Sequence, residues 1–248
     1  MSVFPVPLPT RSARMKLLQL FSCAAMLILV TAAGAATPVP ATASSPEPRF
    51  VPRDEAAGDV SWTRFRDRLL SAVQQRDRKF VLGIVDRNVR NGLERPRGME
   101  EFIRQWEPEA EDSPLWRELT RALHLAAAWY RHDQMPRSLC APYVLPQWPQ
   151  DIDPHTYGAI TARQTEVRTA PSGNAEVQLA LGHVIVPVTD WEVADRDAEV
   201  KQKWVKIRVR ERDGYIPEEH IRSPIEHLVC FRKSESGWRL TSFLAAGE

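Results

Sequence analysis

The sequence predicts an α+β protein: a helical unit first, a small β-barrel after it, and a C-terminal β-hairpin that packs on the helical part. Three observations lead there. Apolar residues recur at three- and four-residue steps over residues 61–130, they switch to alternation after residue 159, and five prolines between Met135 and Pro154 separate the two regimes. At 248 residues, with 43% hydrophobic and 26% charged residues, the chain has an ordinary globular composition and room for two small domains after an N-terminal leader.

Residues 1–36 read as a secretory signal peptide. Arg11, Arg14 and Lys16 precede an apolar run over residues 17–30, and a small-residue stretch follows in which Ala33 and Ala35 suit signal peptidase, placing cleavage near Ala35. Met15 is an alternative start. The apolar run is shorter than the roughly 20 residues that span a bilayer, so the membrane is expected as a partner only before cleavage. Removing three cations and no acid turns the formal charge of +1 into about −2. A near-neutral remainder gives no argument for nucleic-acid binding, which usually needs a strongly basic face, and the basic run over residues 201–212 is offset by Glu199, Glu211, Asp213, Glu218 and Glu219. Cys23 leaves with the signal. Cys140 and Cys230 remain as an even pair for an oxidising compartment, either bridged or as two buried thiols.

Residues 37–60 are rich in Pro, Ala, Ser and Thr and suit an extended tether. The helical unit, residues 61–134, opens with Trp62, Phe65, Leu69, Leu70 and Val73 on one helical face. Phe80, Val81, Ile84 and Val85 predict a second helix that stops near Asn91-Gly92. A third is expected from Met99 to Trp106. The fourth has Ser113 as cap, Pro114 at the first helical position, and Leu115, Trp116, Leu119 and Leu123 as its buried stripe.

The connector, residues 135–158, is too rich in proline for a long helix, and its Cys140, Tyr143, Val144, Leu145 and Trp148 are too apolar for a solvated linker, so it should be packed. The barrel, residues 159–224, is built from short strands expected over 159–168, 177–180 and 184–188, then a polar loop over 192–202. In "KWVKIRVRERDGYIPEEHIRSP", residues 203–224, Val205, Ile207 and Val209 alternate with Trp204, Lys206, Arg208 and Arg210, so the first three point into the barrel core. Asp213-Gly214 is expected to form the hairpin turn, and residues 217–221 one turn of 3₁₀ helix. The whole tract from Thr161 to Ser223 should curl into a closed sheet. Residues 225–248 read as a last hairpin around the turn 234–237, which needs another surface to rest on.

The ordered set Val167, Arg168, Pro171, Ser172, Trp204, Val205, Lys206, Ile207, Gly214, Tyr215 and Ile216 resembles the bacterial SH3-like (SH3b) domains of wall- and periplasm-associated proteins. The resemblance covers about residues 161–224 and departs from the pattern in the longer loop over 192–202. It implies a ligand surface at Trp204 and Tyr215. The N- and C-terminal parts loosely resemble a nuclear-transport-factor-2-like cone with the SH3-like module inserted.

Catalytic constellations are missing from the sequence. The six histidines show no H-E-x-x-H motif and no cysteine at zinc spacing, and no Gly-rich phosphate loop occurs, so neither metal nor cofactor is expected. Cys140 is a poor nucleophile, because Pro142 follows it and no helix start lowers its pKa. The acidic neighbours Glu100-Glu101, Glu111-Asp112 and Glu218-Glu219 point apart and suit solvated faces. What remains is a binding surface. Trp204, Lys206, Arg208 and Tyr215 form an aromatic-plus-cation groove for an extended peptide or glycan strand, unless Trp204 instead packs against the helical unit. The expected function is that of an exported, non-enzymatic binding or scaffold protein of the cell envelope, with peptidoglycan or an envelope protein as partner; an envelope hydrolase or hydrolase inhibitor is the alternative.

Overall fold

A computed structural model describes residues 47–245 except Leu93, Asp133, Gln134 and Ala198. The expected signal peptide, its cleavage site and residues 37–46 of the expected tether lie outside the described residues. Helix α1 (Val60–Gln74) begins at Asp59, whose carboxylate accepts from the backbone N–H of Ser61 and Trp62 at 2.8 and 3.1 Å. Helix α2 (Arg78–Ile84) is short, and Val85–Arg90 forms strand β1 where a continued helix was expected. Alternation is the reason: Val85 and Val89 face the helices while Asp86, Asn88 and Arg90 face away. Helix α3 (Met99–Trp106) has the predicted bounds, and α4 (Pro114–Leu123) is capped by Ser113 as predicted. Arg66 of α1 donates to the carbonyls of Leu123 and Leu125, satisfying acceptors that the end of α4 leaves open.

Strands β2 (Ala128–His132) and β3 (Met135–Ala141) follow, so the expected helical unit also contains sheet and the first part of the expected connector is a strand. After β3 the chain leaves for a second sheet of β4 (Tyr157–Ile160), β5 (Thr165–Arg168), β6 (Val177–Leu181), β7 (Ile185–Ala194), β8 (Lys203–Val209), β9 (Arg212–Pro217) and β10 (Ile221–Arg222). It returns as β11 (His227–Ser234) and β12 (Gly237–Ala245), the expected C-terminal hairpin. The first sheet has the order β1-β12-β11-β3-β2, with β1 parallel to β12 and the other pairs antiparallel. The fold is therefore α+β, and residues 142–226 are an insertion between two neighbouring strands of one sheet.

Helices α1–α4 cover one face of the first sheet around Trp62, Phe65, Leu69, Phe102, Leu119, Phe231 and Phe243, all buried. Trp62 lies 5.1 Å from Trp238 and 5.2 Å from Phe231, ring centre to ring centre, which docks the hairpin on the helices.

The second sheet has the order β10-β4-β7-β8-β9-β5-β6. It is open, not closed as expected: β10 is two residues long and pairs with β4, which leaves too little backbone for a second ladder. Val205, Ile207 and Val209 point into its core with Val167, Val186 and Ile216, as the alternation predicted. The β8–β9 turn is Arg210-Glu211, both with positive φ, three residues before the expected Asp213-Gly214. Strand β7 continues to Ala194, so only residues 195–202 of the expected loop are loop. The 3₁₀ turn Glu218–His220 is present.

All described residues belong to one compact unit. A separate core of Phe50, Ala128, Tyr143, Val144, Ala159 and Ile185 joins the sheets, with Trp148 packed against it. Phe50 lies within the expected tether, yet its N–H donates to the His183 carbonyl and its ring stacks on Tyr143 at 5.3 Å. Cys140 of β3 and Cys230 of β11 are cross-strand partners and form a disulfide with 4.0 Å between Cα atoms. The bridge closes the neck through which the insertion leaves and returns. Among the described residues no helix is long and apolar enough to cross a membrane.

Candidate functional site: a groove walled by Trp204

Strand β8 decides the geometry. Its core face carries Val205, Ile207 and Val209, so Trp204, Lys206 and Arg208 share the opposite face, where Pro217, Tyr215 and Asp213 of β9 stand directly across. Trp204 is buried all the same, at 3% exposure. The loop after β7 folds over it, and the indole Nε1–H donates to Asp195 Oδ2 at 2.7 Å. Successive carboxylates hold that loop: Asp195 Oδ1 accepts from the Asp197 N–H at 2.9 Å and Asp197 Oδ1 from the Glu199 N–H at 3.1 Å. The Arg196 N–H donates to the Pro171 carbonyl at 2.8 Å, tying the loop to the β5–β6 turn.

Between this loop, β5 and the β5–β6 turn lies a groove of about 560 Å³, bordered by Trp204, Thr165, Arg168, Asn174, Asp195 and His220 among others. Every lining residue comes from the inserted sheet and its loops. The alternative role for Trp204, as glue to the helical unit, has another occupant: Trp148 stands at the seam between the sheets and donates its Nε1–H to the Ile152 carbonyl at 2.9 Å.

The four predicted site residues divide. Trp204 lines the groove, whereas Lys206, Arg208 and Tyr215 lie beyond its lining. Lys206 Nζ is 2.8 Å from Asp213 Oδ2; this hydrogen bond and charge raise the lysine pKa and lower that of the aspartate. Arg208 lies 3.9 Å from Glu211. Tyr215 is half-buried opposite Lys206 and bridges to Arg168 of β5.

The groove's polar lining was largely missed. Arg168 donates to the Ala175 carbonyl at 2.7 Å and pairs with Glu166. His220 Nδ1 lies 2.7 Å from Thr165 Oγ1, which orients the imidazole at one end. Glu166, Asp195 and Asp197 against Arg168 make the lining acid-rich. The signal in the sequence was "DRD" at 195–197, since alternate aspartates favour the turns that shape this loop. Among the described residues no cluster of three or more His, Cys, Asp or Glu is arranged to hold a metal ion. A search against known protein families, curated proteins and solved structures finds no match to this chain.

Proposed function

We propose that this chain is an exported, non-enzymatic binding or scaffold protein of the cell envelope, in which the inserted sheet is an SH3-like module that holds an extended peptide or wall-glycan strand along the Trp204 groove. The observation that carries this reading is the groove itself: a space of about 560 Å³ with an indole in its wall, polar groups in its lining, and no contribution from outside the inserted sheet and its loops. Export is supported by the basic, apolar and small-residue order of residues 11–36 and by a disulfide that suits an oxidising compartment. The four helices and five-stranded sheet are read as a nuclear-transport-factor-2-like cone interrupted by the module, a reading supported by the position of the insertion between β3 and β11.

Co-sedimentation of the chain with purified peptidoglycan tests the proposal. Trp204→Ala should lose retention. Because Trp204 is buried, Asn174→Trp provides a second test: it fills the groove from an exposed position without disturbing the core, and it should also lose retention. Equal retention of the wild type and both variants, or no retention of the wild type, removes the groove from this role.

A further inference from the structure

The first sheet has a second concavity, on the face turned away from the helices. Strand β1 directs Asp86, Asn88 and Arg90 there, because Val85 and Val89 fill the helix-side core. On β3 and β11 the same alternation sends Leu139, Val229 and Phe231 to the core and leaves Ser138 and Arg232 on the far side. The β11–β12 register slips at Thr241, and the resulting bulge puts Thr241 and Ser242 together in the wall. Arg97 closes the rim from the segment before α3. The space measures about 320 Å³, at the small end for organic ligands.

Its chemistry is one-sided. Among the described residues of the lining, the exposed guanidinium groups of Arg97 and Arg232 stand against one carboxylate, Asp86, which also accepts from the Asn88 N–H at 2.8 Å, while Arg90 has a partner of its own. Arg90 is 7% exposed and pairs across the strands with the buried Ser242, and buried Ser138 lines the same space from β3. Among the described residues, no side-chain hydrogen bond or ion pair engages the guanidinium of Arg97 or Arg232. Burial, and after it the neighbouring Arg97 charge, lower the Arg90 pKa. Guanidinium groups are planar donors matched to paired oxygen acceptors, and hydroxyls add short donors, a combination that suits an oxyanion better than a cation or a sugar.

We propose that this pocket is a binding site for a small molecule carrying a carboxylate or phosphate group, with Arg97 and Arg232 as its clamp and the Ser138, Thr241 and Ser242 hydroxyls as further donors. The site shares no residue with the Trp204 groove, so each stands or falls alone.

Calorimetric titration of the full chain with inorganic phosphate and, separately, with succinate tests it, with sodium chloride at matched ionic strength as the control. Saturable binding of either probe is expected, phosphate alone marking a tetrahedral preference and succinate alone a planar one. Arg97→Gln and Arg232→Gln change exposed side chains and should each weaken binding by about tenfold, the usual size of one charge-assisted hydrogen bond. Both variants should keep wild-type retention on peptidoglycan if the groove acts there. Heats that match the chloride control for both probes overturn the proposal, as does binding unchanged in both variants.

Discussion

Gly214 sits in β9 directly opposite Ile207, on the core side, where a Cβ would come within 2.3 Å of Val167 Cγ1. Gly182 is tighter still, since a Cβ there would meet the Arg163 carbonyl oxygen at 1.8 Å. Gly214→Ala should destabilise by about 1–3 kcal/mol, because a core valine must be displaced, and Gly182→Ala by more, because backbone cannot yield as a side-chain methyl can. Denaturant midpoints check both, and values equal to wild type would contradict the close approach. These residues also mark what the sequence carried. Asp213-Gly214 has the composition of a hairpin turn, yet the chain turns at Arg210-Glu211, a pair with no glycine to announce it. Trp204 was placed on the correct strand face from alternation alone, but its cover by Asp195 depends on a loop whose path no local pattern specifies.

Among the elements, α4 shows how a charged group works in a seam. Glu118 is nearly buried, and burial alone would raise its pKa. Hydrogen bonds from His227 and Arg117, with the His227 and Arg121 charges, reverse this and bring it from an ordinary 4.5 to about 2. The folded state thus favours the ionised form. Its contribution is present above pH 4.5 and is lost as pH falls toward 2. Glu118→Gln should cost about 2 kcal/mol at pH 7, since it weakens a nearly buried, hydrogen-bonded charge pair. The gap between variant and wild type should shrink between pH 4.5 and pH 2; urea midpoints across that range check it, and a constant gap would contradict the assignment. Beside Glu118, Arg121 reaches Glu218 and Glu226, and the latter pairs with buried Arg222, so α4 is tied to the inserted sheet by charge. Helices α3 and α4 were legible because their signals are local: a proline, a cap and an apolar stripe. Strand β1 was not, because its partners Leu240 and Ser242 lie some 150 residues away in sequence, and six residues beginning with valine extend a helical pattern equally well.

For the molecule as a whole, the defining feature is that one sheet interrupts another. The helices and β1, β2, β3, β11 and β12 form the base, residues 142–226 form the inserted sheet, and the disulfide clasps the neck across 90 residues of sequence. Reduction should therefore lower stability by about 3–4 kcal/mol through the loop released in the unfolded chain, with the denaturant midpoint as readout and an unchanged midpoint as the contrary result. The even cysteine pair already offered a bridge as one of its two readings, and the pairing of β3 with β11 supplies the proximity that decides for it. This arrangement presents the Trp204 groove on a module held at a neck, apart from the oxyanion pocket on the base. The most direct test of that account is a chemical-shift titration of isotope-labelled protein with a soluble peptidoglycan fragment. Shifts centred on Thr165, Arg168, Asn174, Asp195 and Trp204 are predicted; a titration that leaves these amides unmoved, or moves only those of the five-stranded sheet, would contradict it.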